Sequence, residues 1–225
     1  MNFDKRIGWF MPNGEKHLPD WMIRVNDKRD GRLLYQGRKY RTALSFVGEK
    51  KFTAIDIGAH VGLWSWQMAK DFTRVLAFEP MPEHQDCFAK NMQAEIATGQ
   101  VALSPVALGP ECGEAHIRTR TVGSSGDTGI EWDGSGIKVP MLTLDSFGIK
   151  EANFMKIDCE GYELFVLQGA VETLKRCRPV IIVEQKPETG GPVRYRISTT
   201  AAVEFLKTLG MRQRAAIQGD YIMTW

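Results

Sequence analysis

A short apolar segment that runs directly into a glycine-containing turn constrains the fold of this chain most strongly. Residues 52–62 read F-T-A-I-D-I-G-A-H-V-G. The apolar positions predict a strand, and Gly58, Ala59 and Gly62 predict a turn whose backbone a ligand can approach closely. A helix is expected over residues 63–70, with its free N–H groups facing the same ligand. An ordinary strand–turn–helix connection is the alternative.

The residues of this turn indicate which kind of ligand it binds. A dinucleotide-binding turn reads G-x-G-x-x-G and holds a pyrophosphate. Here the pattern is D-x-G-A-x-x-G, with Asp56 at the end of the strand. A carboxylate attracts an ammonium and repels a phosphate. S-adenosylmethionine carries an amino group and a sulfonium and has no phosphate, so the charges favour it over NAD or ATP.

A second acidic residue ends the next apolar segment. Residues 74–79 read R-V-L-A-F-E, and Pro80 and Pro82 then end the strand. Glu79 lies about twenty residues after the first glycine of the turn, where an acid binds ribose in nucleotide-binding folds. We therefore expect Glu79 to bind both ribose hydroxyls, and an exposed charge at a strand end is the alternative.

Length and composition agree with one globular domain. The chain has 225 residues, of which 43% are apolar and 25% charged, enough for a sizeable core. The net charge of +2 gives no indication of a nucleic-acid partner. The four cysteines form no C-x-x-C pair, so neither a zinc site nor a disulfide framework is predicted. No apolar segment of signal-peptide or membrane-spanning length occurs, and a soluble, cytoplasmic protein is expected.

Apolar strands alternate with helical segments from residue 53 onward, which predicts a parallel sheet covered by helices. The expected strands comprise residues 53–57, 74–79, 101–106, 153–158 and 179–184. A helix is expected over residues 83–97, because Phe88, Met92 and Ile96 are spaced four apart on one face.

Two segments fall outside this alternation. Residues 1–50 are rich in aromatic residues, proline and glycine, which predicts an irregular N-terminal segment that packs on a domain formed by residues 51–225. This segment either covers an acceptor site or simply buries its aromatic side chains. Residues 115–142 contain short strand-like pieces around a glycine- and serine-rich stretch, which is either a lid or a plain loop.

A group of carboxylates is expected at one edge of the sheet. Residues 153–161 read N-F-M-K-I-D-C-E-G and place Asp158 and Glu160 after a strand, and the strand of residues 179–184 ends at Glu184. Ligands of open α/β sheets bind outside the carboxyl ends of the strands. These acids are candidate proton acceptors, or ligands of a cation, with helix capping by Asp158 or Glu160 as the alternative. His60 is a further candidate base.

Five motifs recur together in a known family. They read A-I-D-I-G-A-H-V-G, V-L-A-F-E-P, L-T-L-D-S-F, F-M-K-I-D-C-E-G-Y-E-L-F-V-L-Q-G-A and R-P-V-I-I-V-E, within about residues 52–185. In this combination the chain resembles the FkbM-type S-adenosylmethionine-dependent methyltransferases. Residues 1–50 and 121–137 lie outside the matched pattern, and we expect them to select the acceptor.

The resemblance implies a class I methyltransferase fold. This α/β, Rossmann-like fold has a seven-stranded, mostly parallel sheet flanked by helices. Its last elements are expected to be a helix over residues 199–209 and an antiparallel strand pair over residues 211–217 and 220–225, with the turn at Gln218 and Gly219. The cofactor is expected to be S-adenosyl-L-methionine, and the residues expected to hold it are Asp56, Gly58, Ala59, Gly62, Glu79 and Pro80.

The expected reaction is O-methylation of a hydroxyl on a sugar, glycan or natural-product acceptor. The acceptor oxygen attacks the sulfonium methyl in line, so the protein has to align the reactants and remove a proton. Asp158 is expected to face this site, with Glu160 and Glu184 as further candidate bases. A route without a metal ion is preferred to one with magnesium at the carboxylates. A nicotinamide-dependent oxidoreductase and a non-catalytic cofactor-binding protein remain open alternatives.

Overall fold

The computed structural model describes residues 1–185 and 194–225. Its strands, in chain order, are β1 (Asn2–Asp4), β2 (Trp9–Met11), β3 (Lys28–Arg29), β4 (Arg32–Leu33), β5 (Thr53–Ile57), β6 (Arg74–Phe78), β7 (Val101–Ser104), β8 (Ala107–Leu108), β9 (Gly113–Thr121), β10 (Ser124–Glu131), β11 (Ile137–Leu142), β12 (Phe154–Ile157), β13 (Val180–Glu184), β14 (Arg212–Ile217) and β15 (Asp220–Thr224).

The helices lie between these strands, and none in the described ranges is long and apolar enough to cross a membrane. They are α1 (His17–Val25), α2 (Gly37–Leu44), α3 (Leu63–Ala69), α4 (Pro82–Asn91), α5 (Gln93–Ala97), α6 (Glu163–Gln168), α7 (Val171–Cys177) and α8 (Ala201–Thr208). A short 3₁₀ helix spans Leu144–Phe147.

The main sheet confirms the predicted class I methyltransferase fold. Within the described residues it has seven strands in the order β14-β15-β13-β12-β5-β6-β7, of which β5, β6, β7, β12 and β13 are parallel. The central strands are buried on both faces, which is why their sequences are nearly continuous apolar runs. Alternate residues of these strands therefore pack into two separate hydrophobic clusters, one on each face.

The C-terminal strand pair is also confirmed. β15 pairs antiparallel with both β13 and β14. The turn between β14 and β15 consists of Gln218 and Gly219, whose φ angles are 51° and 83°. Two consecutive positive φ values are the requirement of a type I′ hairpin turn, and glycine at the second position satisfies it without strain.

Two predicted elements end earlier than expected. The helix predicted over residues 83–97 is interrupted at Met92, whose φ of −112° and ψ of 19° are not helical. Phe88 and Met92 are completely buried, but Ile96 is 37% exposed and does not continue their face. The strand predicted over residues 101–106 ends at Ser104, because the chain then turns away and joins a second sheet as β8.

The glycine- and serine-rich stretch within residues 115–142 is a β-hairpin, where the sequence predicted a lid or a loop. β9 and β10 pair antiparallel, and β11 and β8 complete a sheet of four strands. Ile117 pairs with Ile130, and the Oγ1 atoms of Thr119 and Thr128 lie 2.6 Å apart across the pair. Such cross-strand pairs stabilise a hairpin even where glycine weakens the strand itself.

The first fifty residues contain two helices and two short strand pairs, where the sequence predicted irregular structure. Their large side chains share one hydrophobic cluster with β5 and β6; Trp9, Met22 and Tyr40 are at most 1% exposed. Tyr40 donates a hydrogen bond of 2.7 Å to Asp71. The segment therefore packs on one face of the main sheet.

A buried ion pair connects the N-terminal segment to the last strand. Lys39 of α2 pairs with Asp220 at the start of β15, and both side chains are at most 6% exposed. Charged groups at this depth lose their hydration, so each carries a large cost unless the opposite charge is present.

We expect Lys39→Met to destabilise the protein by about 3–5 kcal/mol, because Asp220 would lose its buried cationic partner. Chemical denaturation, followed by circular dichroism, measures this difference. Arg38→Met is the matched control, since Arg38 is an exposed neighbour on the same helix and should change stability by no more than about 0.5 kcal/mol. Equal transition midpoints for the two variants would contradict the expectation.

Candidate functional site

A cavity lies at the carboxyl ends of β5, β6 and β12, where ligands of open α/β sheets bind. Four of the predicted cofactor residues line it, together with two of the predicted acids: Gly58, Ala59, Glu79, Pro80, Asp158 and Glu160. The N-terminal segment and the β9–β10 hairpin supply further walls, through Leu18, Tyr35, Ile117, Ser125 and Ile130. Both segments that the sequence analysis assigned to acceptor selection therefore border this cavity.

The turn after β5 is shaped by contacts within the protein as well as by the space for a ligand. The backbone N–H groups of Gly58 and Ala59 both donate to the carbonyl oxygen of Phe78, at 3.1 and 3.0 Å. Gly58 has a φ of 75°, and a Cβ there would overlap the backbone carbonyl of Asp158. A side chain at this position would thus disrupt the contact between the turn and the end of β12.

Gly62 serves helix packing and does not line the cavity. Its φ is 93°, and a Cβ added to it would lie 3.1 Å from Met92 and 3.2 Å from Phe88. The missing side chain therefore lets α4 approach the start of α3. Gly62 supports the turn from behind, whereas the sequence analysis expected it to face the cofactor.

Asp56 is completely buried beneath the turn and does not line the cavity. Its Oδ2 accepts a hydrogen bond of 2.6 Å from Ser65, and its Oδ1 lies 3.7 Å from the Nζ of Lys156. Burial raises the pKa of Asp56 above its usual range, against the opposing effects of Lys156 and Ser65. The ammonium that Asp56 faces in this structure is therefore that of a lysine.

Lys156 is the central cation of the site. It lies in the middle of β12, 6% exposed, and its Nζ donates to the Gly58 carbonyl at 3.0 Å and lies 3.4 Å from Asp158 Oδ2. Burial lowers its pKa, but Asp158 and Asp56 outweigh burial and raise the pKa above the usual range. Lys156 is therefore charged and connects the turn, the buried Asp56 and the cavity-lining Asp158.

Glu79 lies in the cavity wall with most of its hydrogen-bonding capacity already used. Its Oε2 accepts from the N–H of His60 at 2.8 Å, and its Oε1 accepts from the N–H of Met81 at 2.9 Å. His84 Nδ1 lies 3.2 Å from Oε1. A carboxylate has about four acceptor positions, so one position on Oε2 remains for a ligand hydroxyl, and Glu79 also organises the surrounding backbone.

A hydrogen-bonded chain joins three distant segments over the cavity. Ser125 Oγ donates to Glu15 Oε2 at 2.5 Å and lies 2.8 Å from His60 Nε2. Since the hydroxyl has a single proton, His60 must donate from Nε2. Burial, with neighbouring His84, holds the pKa of His60 well below its usual range. His60 is therefore neutral, with its proton on Nε2. That nitrogen cannot act as a proton acceptor in this arrangement.

The structure brings the three predicted acids together. Single carboxylate oxygens of Asp158, Glu160 and Glu184 all lie within 4.8 Å of one another. Asp158 and Glu160 line the cavity, whereas Glu184, the last residue of β13, is 4% exposed beside it. Glu160 has a φ of 52°, an unusual conformation for a residue with a side chain, of the kind that concentrates at functional sites.

Helix capping is the alternative role that the sequence analysis left open for Asp158 and Glu160. Helix α6 begins at Glu163, with Tyr162 at its N-cap position, so neither acid occupies the cap. Glu163 organises this loop, because its Oε1 accepts from the N–H groups of Cys159 and Gly161 at 2.9 and 3.0 Å. Burial raises the pKa of Glu163 to about 7.

The mostly parallel sheet and the cavity at its carboxyl edge define a class I methyltransferase-type fold. Residues 56–210 match the family model of the methyltransferase FkbM domain. The chain therefore belongs to the FkbM methyltransferase domain family, which confirms the resemblance drawn from the motifs. The match runs through residues 121–137, which the motifs had left outside the family pattern.

One curated relative and two solved structures illustrate this similarity. The hexuronic acid methyltransferase AglP of Haloferax volcanii is 25% identical over 131 residues, which are 56% of this chain and 53% of that protein. A methyltransferase FkbM of Methylobacillus flagellatus KT has a TM-score of 0.53 at 15% identity, covering 80% of this chain and 44% of that one. The chain thus spans about half the length of these relatives.

A precorrin-6y C5,15-methyltransferase of Geobacter metallireducens GS-15 has a similar fold over almost its whole length. Its TM-score is 0.51 at 16% identity, and the alignment covers 89% of this chain and 94% of that one. At this level of identity the similarity establishes the fold and not the substrate.

The sequence analysis did not identify several residues of the site. Lys156 had a signal, because a lysine inside an otherwise apolar strand has to find a buried partner. Glu163 had a weaker one, since an acid in the first turn of a helix favours its N-terminus. Glu15 and Ser125 had none, because they are 110 residues apart and only the tertiary fold brings them together.

We expect Glu163 to make stability depend on pH. Its pKa is raised from 4.5 to about 7 in the folded state, so the folded state binds more protons between these values. The contribution of Glu163 to the free energy of unfolding is fully present below 4.5, its pKa in the unfolded chain. It is lost as the pH rises through about 7, by about 3 kcal/mol in total. Urea denaturation of the wild type and of Glu163→Gln, at several pH values from about 5 to 8, measures this loss.

The stability of Glu163→Gln relative to the wild type should rise over this pH range, because glutamine is neutral and can accept the same two N–H groups. Glu172→Gln is the matched control, since the side chain of Glu172 is 70% exposed. A pH-independent difference for Glu163→Gln would show that the carboxyl is ionised throughout the range.

Proposed function

We propose that this protein is an S-adenosylmethionine-dependent methyltransferase that methylates a hydroxyl of a sugar or a related hydroxylated compound. The observation that carries this proposal is the single cavity that joins Glu79 and the glycine turn to Asp158. One wall suits a ribose, and the other places a carboxylate where a hydroxyl has to lose its proton. Membership in the FkbM family supports the same reaction.

The residues of the cavity fit this cofactor. Glu79 Oε2 keeps one acceptor position for a ribose hydroxyl, and Gly58, Ala59 and Pro80 leave the backbone accessible beside it. Asp56 and Gly62 support the turn from behind. Asp158 and Glu160 add negative charge to the cavity wall, which suits a ligand with an ammonium and a sulfonium better than one with a pyrophosphate. When bound, S-adenosylmethionine supplies an electrophilic methyl group.

Asp158 is the residue we assign to the acceptor hydroxyl. It lies directly after β12 at the cavity wall, and Lys156 holds its Oδ2 from within the protein at 3.4 Å. This contact orients the carboxylate, which we propose accepts the hydroxyl proton. Glu160 and Glu184 lie close enough to relay that proton or to take over the role. We propose this step without a metal ion, although the same three carboxylates are close enough to hold one.

The acceptor is proposed from the surroundings of the cavity. The curated relative AglP is a hexuronic acid methyltransferase, which supports a sugar-like acceptor and O-methylation. The N-terminal segment and the β9–β10 hairpin border the cavity opposite the sheet, and we assign acceptor selection to them. A nicotinamide-dependent oxidoreductase is disfavoured, because the turn lacks the G-x-G-x-x-G pattern for a pyrophosphate.

S-adenosylhomocysteine should raise the melting temperature of the protein, and NAD should leave it unchanged. Binding to the folded state alone stabilises it by about 2.7 kcal/mol at a ligand concentration one hundred times Kd. Differential scanning fluorimetry with each ligand decides between methyltransferase and oxidoreductase. Stabilisation by NAD alone would overturn the proposal.

Glu79→Gln tests the ribose contact with the same ligand. Losing a charged acceptor should weaken S-adenosylhomocysteine binding by about 1.5–3 kcal/mol, measured by calorimetry. The variant should also melt earlier without ligand, because Glu79 is 4% exposed and accepts backbone N–H groups. Glu172→Gln, far more exposed, should change neither quantity.

Asp158→Asn should lower turnover about a hundredfold or more, because asparagine cannot accept a proton at this position. Affinity for S-adenosylhomocysteine should change much less, since Asp158 lies on the acceptor side of the cavity. Formation of S-adenosylhomocysteine from S-adenosylmethionine, with a glycoside as the methyl acceptor, measures turnover. The exposed Asp86→Asn is the control. Near-normal turnover would transfer the role to Glu160 or Glu184.

A further inference from the structure

An aromatic cluster lies beside the cavity and is not used by the proposed cofactor site. It consists of Trp132, Tyr162, Phe165 and Tyr195. Trp132 lies with its ring centroid 5.8 Å from that of Phe165 and 5.3 Å from that of Tyr195. Tyr162 stacks on Phe165 at 4.6 Å and lies 5.1 Å from Tyr195. The four rings therefore form one continuous cluster, in which Tyr162 and Tyr195 are only 6% and 2% exposed.

Trp132 is the exposed end of this cluster. It follows β10 directly and is 57% exposed, whereas the other five tryptophans of the chain are buried or half-buried. Exposing a tryptophan ring forgoes a large hydrophobic gain. The ring is nevertheless flanked by Phe165 and Tyr195. The hydroxyl of Tyr195 donates a hydrogen bond of 2.9 Å to the Ile130 carbonyl, which holds this ring in place.

The aromatic cluster reaches the cavity through Tyr162. Tyr162 lines the cavity, and so does Ile130, which precedes Trp132 by two residues. Tyr162 also follows Asp158 and Glu160 in the same loop. A molecule lying on Trp132 would therefore extend toward the carboxylates that we assign to proton removal.

We propose that the exposed ring of Trp132, backed by Phe165 and Tyr195, is a stacking platform that binds a ring of an uncharged, hydroxylated acceptor such as a neutral pyranoside. This inference rests on the proposed methyltransferase function. A pyranose ring has an apolar C–H face that packs on an aromatic face, and its hydroxyls point outward, where the carboxylates of the cavity can accept them.

The charges around the platform favour a neutral ring over an acidic one. Trp132 lies between Glu131 and Asp133 in the chain, and Asp158 and Glu160 line the cavity beyond Tyr162. Hydrogen bonds from Ser135 lower the pKa of Asp133, so that carboxylate stays ionised. Three arginines nearby have partners of their own: Arg120 and Arg118 lie 2.7 and 3.7 Å from Glu131, and Arg194 is hydrogen-bonded to Tyr195. A uronic acid on the platform would therefore meet like charges, which destabilise its binding.

The test compares Trp132→Ala and Trp132→Phe with Phe52→Ala, an exposed aromatic residue that is 47% exposed at the opposite end of β5. The probes are the methyl pyranosides of glucose, galactose and mannose and the matching methyl uronides. Acrylamide quenching of tryptophan fluorescence, in which the exposed Trp132 dominates, measures how each probe binds to the protein loaded with S-adenosylhomocysteine. Formation of S-adenosylhomocysteine measures methyl transfer.

We expect a neutral pyranoside to protect the wild-type fluorescence from quenching, and each uronide to protect it less. For the pyranoside that is methylated, Trp132→Ala should raise KM about tenfold or more with a smaller change in kcat, and Trp132→Phe should restore most of the loss. Phe52→Ala should behave as the wild type, and all variants should bind S-adenosylhomocysteine equally.

Three results would overturn the platform: equal KM for Trp132→Ala and Phe52→Ala, stronger binding of the uronides than of the neutral rings, or no protection by any pyranoside. If S-adenosylhomocysteine still binds in those cases, the platform is wrong and the methyltransferase proposal stands. If S-adenosylhomocysteine does not bind to the wild type, the methyltransferase proposal itself is wrong, and the platform is overturned with it.

Discussion

The buried ammonium of Lys156 is the interaction on which the site depends. It lies between Asp56 and Asp158 and also donates to the carbonyl of Gly58. Two carboxylates and a glycine turn could not approach one another in an apolar interior without this cation, because the repulsion and the loss of hydration would be too costly. Lys156 thereby couples the glycine turn, which we propose binds the cofactor, to Asp158, which we propose faces the acceptor.

The cavity is enclosed by parts of the chain that are remote in sequence. Glu15 from the N-terminal segment, Ser125 from the β9–β10 hairpin and His60 from the glycine turn are joined by hydrogen bonds. Neither the segment nor the hairpin belongs to the main sheet, yet both pack against its carboxyl edge. The sheet thus supplies one part of the cavity wall, which we propose binds the cofactor, and the added elements supply further walls, to which we assign acceptor selection.

The errors of the sequence analysis have specific physical causes. Periodicity predicted one helix across Met92, but it carries no information on the backbone angles that break the helix there. Glycine and serine in the hairpin indicated a loop, although pairing with β9 outweighed their weak strand preference. The hydrogen bonds that Glu79 accepts from His60 and Met81 were not predicted, because they depend on the folded path of the backbone.

The sequence by itself determined the sheet, the glycine turn, the C-terminal hairpin and the family, because these follow from local patterns of apolar residues, glycine and short motifs. It also placed Asp158, Glu160 and Glu184 at one edge, since parallel strands end on the same side. Only the tertiary structure decided that Asp56 faces Lys156, that Gly58 packs on Asp158 and that Trp132 packs against Tyr195. Those contacts join residues far apart in the chain, and no local pattern encodes which distant partner a buried charge or an exposed ring will meet.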